Sequence, residues 1–329
     1  MVHVLLLAGS AVAIYLACEW FINAVEWLGL RLNVGKMAVG TLLAAIGTAL
    51  PESVVTFVAV VFGRSAGSKD IGVGAAMGGP LALSTIAYAV VGVVWLTNLR
   101  GRRAQAELRI DERRLGRDQT WFLAVFIFKV GLGLVAFALK AWLGLLFFAT
   151  YVVYFTRELA NREGAGENEG LARLRLQPRA ASPSTAAVVA QTAGTLAVIF
   201  AASQIFVHQL EWAGPQLGLS ATVTALLLSP VATELPEVMN AVLWVRQGKT
   251  DLALANISGA MMIQATVPSG LGILFTPWKF DSPLIAAGAI TMAAIVYLLL
   301  LIRAHRLTPR RLAASAGFYA VFAVLLAVL

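Results

Sequence analysis

Ten long apolar segments separated by short polar stretches make up most of this 329-residue chain. A helix needs about 20 mostly apolar residues to cross a bilayer, and 59% of the residues here are hydrophobic while only 13% are charged. An ordinary soluble protein, with about 25% charged residues, is thereby excluded. The sequence predicts an all-α integral membrane protein with ten transmembrane helices. They are expected at residues 4–30, 34–62, 71–97, 119–138, 141–158, 186–212, 219–245, 251–275, 283–302 and 311–328.

The basic residues are concentrated in alternate loops. With the N-terminus outside, the inner loops hold 20 of the 25 Lys and Arg residues and the outer loops hold four. Cytoplasmic loops are enriched in Lys and Arg, so we predict a multi-pass protein of the cell (inner or plasma) membrane with both termini outside the cytoplasm. This pattern explains the net charge of +8 without nucleic acid. The expected partners are cations and the lipid bilayer, and no obligate protein partner is expected.

The chain repeats itself at an offset of 185 residues. Residues 21–52 and 206–237 are identical at 11 of 32 aligned positions, and both copies end in Thr-x-Leu-Pro-Glu. Each copy opens a half with five predicted spans, so the second half enters the membrane from the opposite side. Such inverted-topology repeats are common in secondary transporters, whose substrates bind near the midplane at broken helices. We therefore predict a first five-helix repeat at 1–158, a cytoplasmic linker at 159–184 and a second five-helix repeat at 185–329.

Each repeat carries a proline inside an apolar segment. Pro51 and Pro236 lack a backbone N–H and clash with the carbonyl four residues earlier, which belongs to Gly47 or Ala232. A helix break at the midplane, with a freed carbonyl, a threonine and a glutamate, is predicted in each repeat. Hard cations such as Ca²⁺ prefer oxygen ligands, and a charge at the bilayer centre costs at least about 2.5 kcal/mol. A bound cation is therefore expected, and proline kinks with protonated glutamates that seal helix contacts are the alternative.

These motifs resemble the signature of the sodium/calcium exchanger family of cation/calcium antiporters, in its prokaryotic form. The family has Gly-Thr-Ser-Leu-Pro-Glu in each inverted repeat, and this chain has Gly-Thr-Ala-Leu-Pro-Glu at 47–52 and Ala-Thr-Glu-Leu-Pro-Glu at 232–237. The resemblance covers nearly the whole chain. It implies that Glu52 and Glu237 are the central Ca²⁺ ligands and that Thr48 and Thr233 add oxygens. It also implies that the carbonyls of residues 47 and 232 serve Na⁺. The transported ions are the only expected ligands, and no cofactor is expected.

The ion ligands differ from those of the family. The serine of the first signature is replaced by Ala49 in one repeat and by Glu234 in the other. In the second signature, Gly-Asn-x-x-Gly-Ser-Asn-x-x-Asn/Asp, the serine and final positions hold Gly79, Leu83, Ala260 and Gln264. Glu234 adds a carboxylate and Gln264 an amide oxygen, so both join the predicted metal site.

The predicted function is secondary active antiport by alternating access, with Ca²⁺ or a related divalent cation exported in exchange for Na⁺. One alternative is an H⁺-coupled cation antiporter, because protonation of the glutamates can replace Na⁺ binding. Another is a non-transporting relative that senses ions or acts as a scaffold. An intramembrane enzyme would need a nucleophile with a base, or paired aspartates. The spans offer neither at mid-depth, so no enzymatic activity is expected.

Two further ionisable residues lie in apolar segments. Lys129, near the middle of the fourth segment, is either a lysine that snorkels or pairs with a structural partner, or a counter-ion for Glu52, Glu234 and Glu237. Glu211, at the end of the sixth segment, is a candidate for a role in cation access.

Overall fold

The computed structural model describes residues 1–31, 44–100, 110–160, 172–246, 248 and 250–329, and every regular element in this part of the chain is a helix. Residues 32–43 of the second predicted segment, 101–109 of an arginine-rich loop and 161–171 of the predicted linker lie outside it. The helices are α1 (Val2–Arg31), α2 (Ala44–Phe57), α3 (Ala66–Ala82), α4 (Tyr88–Arg100), α5 (Glu112–Leu134), α6 (Gly144–Ala160), α7 (Thr185–Gln216), α8 (Ala221–Thr233), α9 (Leu235–Arg246), α10 (Thr250–Phe275), α11 (Ser282–Arg303), α12 (Pro309–Ala313) and α13 (Ala316–Val328).

Helices occupy the described part of every predicted apolar segment. Among the described residues, six stretches are long and apolar enough to cross a membrane. These are Val2–Phe21, Ala66–Thr97, Thr185–Gln216, Thr250–Phe275, Ser282–Arg303 and Pro309–Val328. Large apolar side chains also face outward, among them Trp142, Leu300 and Val324. An outer surface of this kind fits a protein whose solvent is lipid.

Helices α1 and α7, which carry the two copies of the repeat, run antiparallel along each other. In the C-terminal half of α1, Asn23 accepts a hydrogen bond of 3.1 Å from Gln191, near the N-terminal end of α7. Near the N-terminal end of α1, His3 pairs with Gln209 at 2.8 Å and stacks on Trp212, both on α7. The N-terminal end of α1 therefore lies beside the C-terminal end of α7.

Helices α3 and α8 approach each other closely because two glycines face the second helix. A Cβ at Gly74 would lie 2.5 Å from the carbonyl oxygen of Thr222, and one at Gly78 would lie 2.8 Å from that of Leu226. Small residues four positions apart allow this backbone contact between helices in membranes. It holds the N-terminal half of α8 against the middle of α3.

The two repeats differ at their prolines. In the second repeat α8 ends at Thr233 and α9 begins at Leu235, so the predicted break before Pro236 is present. In the first repeat α2 continues through Pro51 from Ala44 to Phe57, and the break predicted there is wrong. Membrane helices accommodate proline where surrounding groups and local adjustments satisfy the freed carbonyl, and Pro51 is enclosed by its neighbours.

Two π-helical turns were not predicted. One, Val58–Phe62, continues α2, and the other, Leu83–Ala87, joins α3 to α4 within the third apolar segment. A π turn inserts an extra residue into a helix and occurs often at functional sites. Here the second turn reorients the helix immediately after the position of Gly79 and before Tyr88.

Candidate cation site

Glu52 from the first repeat and Thr233 from the second meet in the buried centre of the molecule. The Thr233 hydroxyl donates to Oε2 of Glu52 at 2.6 Å. It also lies 3.0 Å from the carbonyl oxygen of Ser229 and 3.3 Å from Oε1 of Glu234. A hydroxyl carries one proton, so it satisfies only one of these acceptors at a time. Glu52 and Glu234 are 0% and 2% exposed, so this neutral hydroxyl lies between two enclosed carboxyl groups.

Gln264 of α10 holds the second of these carboxyl groups. Its Nε2 donates to both oxygens of Glu234, at 2.9 Å to Oε1 and 2.8 Å to Oε2. Gln264 is fully buried. Four residues predicted for the metal site are therefore connected by hydrogen bonds, in the order Glu52, Thr233, Glu234 and Gln264.

The space for this pair is provided by Gly79 of α3. A Cβ at this position would lie 2.8 Å from Oε1 of Gln264 and 2.9 Å from Oε1 of Glu234. Real Cβ atoms do not approach other atoms so closely without displacement of the neighbour. The serine that the family resemblance places here would therefore collide with the new carboxyl and amide groups. Gly79, Glu234 and Gln264 therefore form one packing unit.

Several oxygens of this region have no hydrogen-bond donor among the described residues. They are Oε1 of Glu52, Oε1 of Gln264 and Oγ of Ser229. A buried polar group left unsatisfied costs about 1–3 kcal/mol, and such oxygens are ligands that a hard cation prefers. The described residues contain no group of three or more His, Cys, Asp and Glu side chains arranged to hold a metal ion. A cation bound here must therefore also use hydroxyl, amide or backbone oxygens.

Glu237 follows the break, in the first turn of α9. It is fully buried on α9 and interacts electrostatically with Cys18 of α1. Glu234 thus lies against α3 and α10, and Glu237 is close enough to Cys18 of α1 for an electrostatic interaction. The two acids, three residues apart, flank Pro236 on two sides.

Lys129 of α5 is a buried cation near this site. Its Nζ donates to the carbonyl oxygen of Ala76 at 2.8 Å and lies 4.8 Å from the ring centroid of Phe126. It is fully buried and interacts electrostatically with Glu52. The hydrogen bond to a backbone carbonyl fits the structural interpretation, and the electrostatic contact fits the counter-ion interpretation, so both stay open.

Three predicted site residues are described only by their backbone. Gly47 and Thr48 lie near the start of α2, and Ala232 lies in the last turn of α8. Their contributions to ion binding remain predictions.

A buried polar network that the sequence did not reveal lies between α4, α5 and α10. Gln119 donates to the hydroxyl of Tyr88 at 2.7 Å and to that of Ser258 at 2.9 Å, and these two hydroxyls are 3.1 Å apart. Ser258 lies on the same helix as Gln264, so this network fixes the helix that positions the amide. The available signal was the occurrence of Gln119 and Tyr88 within apolar segments.

Glu211, proposed for cation access, is satisfied by neighbouring hydroxyls. Ser65 and Ser68, at the start of α3, both donate to its carboxylate. The Glu211 side chain is 27% exposed. It joins α7 to α3 at the end of the helices that carries His3, and its role in cation access remains a prediction.

Comparison with known proteins gives a consistent assignment. The family model of the sodium/calcium exchanger protein matches residues 2–159 and 187–328. The candidate antiporter CaxA of Alkalimonas amylolytica is 26% identical over 303 residues, which cover 91% of this chain and 88% of CaxA. The inner membrane protein YrbG of Escherichia coli (strain K12) is 23% identical over 310 residues, which cover 93% of this chain and 89% of YrbG.

Solved structures show the same fold. The crystal structure of the H⁺/Ca²⁺ exchanger CAX aligns with a TM-score of 0.75 at 16% identity, over 99% of this chain and 86% of CAX. The sodium-calcium exchanger NCX_Mj aligns with a TM-score of 0.61 at 17% identity, over 98% of each chain. Because the family model matches nearly the whole sequence, this multi-pass helical membrane protein belongs to the sodium/calcium exchanger family of cation antiporters.

Proposed function

We propose that the protein is a secondary active antiporter that exports Ca²⁺, or a related divalent cation, in exchange for H⁺ or Na⁺. The observation that carries this proposal is the Thr233 hydroxyl at the buried centre, which lies within hydrogen-bond distance of both Glu52 and Glu234. Each half of the chain supplies part of one acidic site. A movement of one half against the other therefore exposes the same ligands to each side in turn, as alternating access requires.

Charge balance supports a divalent cargo and an exchange mechanism. Three glutamates, Glu52, Glu234 and Glu237, and one lysine, Lys129, are buried, and Lys129 interacts electrostatically with Glu52. With all four groups ionised, two negative charges remain. One divalent cation, two protons or two Na⁺ ions neutralise them. Uncompensated charge in a low-dielectric interior costs several kcal/mol, so the cation leaves the site most readily when other cations replace it.

The substitutions at the site favour H⁺ as the exchanged ion over the Na⁺ expected from the family. The serine positions that the family resemblance assigns to ion binding hold Gly79 and Ala260, which offer no side-chain oxygen. Glu234 and Gln264 occupy the space beside Gly79 instead. A proton needs only a carboxylate oxygen, whereas Na⁺ needs a shell of several oxygens. Na⁺ remains the alternative driver.

The transport proposal includes the topology predicted from the sequence. The two blocks matched by the family model, 2–159 and 187–328, support a division into two five-span repeats joined by a linker at 159–184. The antiparallel arrangement of α1 and α7 supports their inverted relation. The charge bias supports ten spans with both termini outside the cytoplasm, and the likeness to an inner membrane protein supports a place in the inner membrane.

Flux measurements in proteoliposomes test the function directly. Purified protein is sealed into vesicles, and uptake of Ca²⁺, Mn²⁺, Mg²⁺, Na⁺ and K⁺ is followed under an imposed H⁺ gradient or an imposed Na⁺ gradient. We expect divalent uptake driven by the H⁺ gradient and abolished when a protonophore collapses it. Uptake that responds only to Na⁺ would identify the alternative driver. Cation-dependent thermal stabilisation without flux under either gradient would contradict antiport and indicate an ion sensor.

A further inference from the structure

A cleft of about 760 Å³ opens between α5 and α11, at the end of the molecule that carries the arginine-rich loops. Its wall has two chemical levels. Arg113, Arg117 and Arg303 line the polar level, and Trp121 and Leu299 line the apolar level. Arg303 is the last residue of the candidate membrane span Ser282–Arg303. The two levels therefore meet where a membrane interface is expected.

The apolar level of the cleft opens laterally, towards the outer surface of α5. Arg113, Arg117, Trp121 and Ala124 follow one another at spacings of three and four residues on α5, so they share one face of the helix. Ala124 and Thr120, both in the lining, are exposed at the outer surface of the helix. The cleft is thus accessible from the depth of the lipid acyl chains as well as from the aqueous phase.

The acid in the lining is paired with a histidine. The carboxylate of Glu112 lies 2.5 Å from Nδ1 of His305. His305 reaches it because it follows the end of α11 in a left-handed conformation, with φ 51°. Arg117 lies 3.6 Å from the Asp118 carboxylate, yet its side chain remains 42% exposed. Arg113 and Arg303 are exposed as well. The polar level therefore presents a positive surface to the cleft.

We propose that the cleft binds one anionic phospholipid. Arg113, Arg117 and Arg303 hold its phosphate, and an acyl chain packs against Trp121 and Leu299. Guanidinium groups bind phosphate oxygens with paired donors, and basic pockets between transmembrane helices suit anionic headgroups. Tryptophan is favoured at the interface between headgroups and chains. A free phosphate would use the arginines but leave the apolar level unfilled, which favours a lipid as the occupant.

Native mass spectrometry of the delipidated full-length chain tests this inference. Phosphatidylglycerol and phosphatidylcholine with identical acyl chains are compared, and inorganic phosphate is added as a competitor. Because each arginine near an anionic headgroup adds to binding, we expect phosphatidylglycerol to be retained about tenfold more than phosphatidylcholine. We expect inorganic phosphate to displace little of it, since phosphate makes no apolar contacts.

Two variants separate the two levels of the cleft. The preference for phosphatidylglycerol should be lost in the triple variant Arg113→Gln, Arg117→Gln, Arg303→Gln. Ala124→Trp, which fills the apolar level and keeps all charges, should reduce retention of both lipids. The matched control removes three exposed arginines at the same end but outside the cleft lining: Arg179→Gln with Arg306→Gln and Arg310→Gln. It should leave the preference intact. Thermal unfolding midpoints show whether each variant folds. If Ala124→Trp fails to fold, the triple arginine variant of the cleft, compared with its matched control, tests the inference.

Four outcomes would overturn the inference. The first is equal retention of the two lipids, and the second is an equal loss of preference in the cleft variant and its control. The third is complete displacement by inorganic phosphate, which indicates a simple anion site. In the fourth, phosphatidylglycerol binds only after Glu163, Glu167 and Glu169 are changed to glutamine. The occupant would then be the acidic linker of the chain itself.

Discussion

The Thr233 hydroxyl lies 2.6 Å from Oε2 of Glu52, and this hydrogen bond joins the two repeats of the chain. The same hydroxyl lies 3.3 Å from Oε1 of Glu234, so a small rotation of the side chain transfers its donor from one acid to the other. A movement of one repeat against the other must break or remake this contact. The bond therefore connects the occupancy of the site with the arrangement of the two halves.

Glu52→Gln and Glu237→Gln should each abolish divalent cation exchange while the protein stays folded. Each change removes one negative charge from the site at nearly constant volume, so the balance with a divalent cation is lost. Proteoliposome flux and thermal unfolding are the two measurements. Glu19→Gln is the control, because that acid accepts a hydrogen bond from Tyr15 and pairs with Arg175 outside the candidate site, and its flux should stay near normal. Near-normal flux in Glu52→Gln or Glu237→Gln would refute the proposed ligand set.

The apparent affinity for the transported cation should weaken as the pH falls from about 8 to about 6, because protons and cations compete for a coupled group of carboxylates. Protonation removes the negative charge that binds the cation, so lower pH gives lower affinity. Glu234→Ser removes one of these carboxylates and should flatten the profile. The measurement is the cation concentration for half-maximal flux at each pH.

A different role for Glu234 predicts a different result. If it served only as a salt-bridge partner of Lys129, Glu234→Ser would chiefly lower stability, and Lys129→Met added to it would restore much of the loss. An affinity that is independent of pH in the parent protein, or an unchanged profile in the serine variant, would exclude competition by protons at Glu234.

Gly79→Ala should destabilise the protein by about 1–3 kcal/mol, as overpacking of a close-packed interior does. It should also weaken cation binding, because the added Cβ displaces the ends of Glu234 and Gln264. Gly131→Ala is the matched control, since a Cβ at Gly131 meets nothing within 4 Å. That change should leave both properties unaltered or slightly raise stability. Equal behaviour of the two variants in thermal unfolding and cation titration would show that residue 79 has no such role.

Lys129→Met distinguishes a counter-ion from a structural lysine. Without the ammonium group the carboxylates hold protons more strongly at a given pH, so the pH profile of flux should shift to higher pH. Lys140→Met is the control, because Lys140 is also buried and also binds carbonyls, those of Val135 and Trp278 at 2.7 and 2.9 Å. It should lower stability without moving the profile. If Lys129→Met behaves in the same way, the lysine is structural.

Cysteine labelling tests the orientation. Cys18 is the only cysteine, so a Cys18→Ala background allows single sites to be introduced at Lys279 and Arg306, both exposed and at opposite ends of α10 and α11. In intact cells a membrane-impermeant maleimide should label residue 279 from outside. Residue 306 should react only after the membrane is opened. The reverse result would overturn the topology derived from the charge bias.

The sequence identified the acids of the site because the repeat and its motif are local patterns. Glu52, Thr233, Glu234 and Gln264 were all predicted as ligands, and all four are connected in the structure. The arrangement around them depends on how helices pack. Gln264 binds both oxygens of Glu234, and no pattern along the chain sets which acid this amide meets.

Other features required the three-dimensional structure. Proline propensity predicts a break at Pro51, yet α2 passes through it, because packing overrides a local preference. Gly79 stood out in the sequence only as a missing serine. Its importance lies in the space beside it, which Glu234 and Gln264 fill once α8 and α10 are placed against α3. The contact of Lys129 with the carbonyl of Ala76 likewise joins residues 53 positions apart.

The glycine contact between α3 and α8 has a consequence for the speed of transport. At Gly74 and Gly78 the backbone of one helix rests directly on carbonyl groups of the other, so few side chains interlock across this surface. Two helices that touch through backbone atoms can slide along each other without a change of side-chain rotamer, which keeps the activation barrier for the movement low. On the proposed function, we therefore expect changes at this surface to alter the rate of transport, and changes among the oxygens around Glu52 to alter the choice of ion. We expect a bulkier residue at Gly74 or Gly78 to slow transport and to leave the preference among ions unchanged.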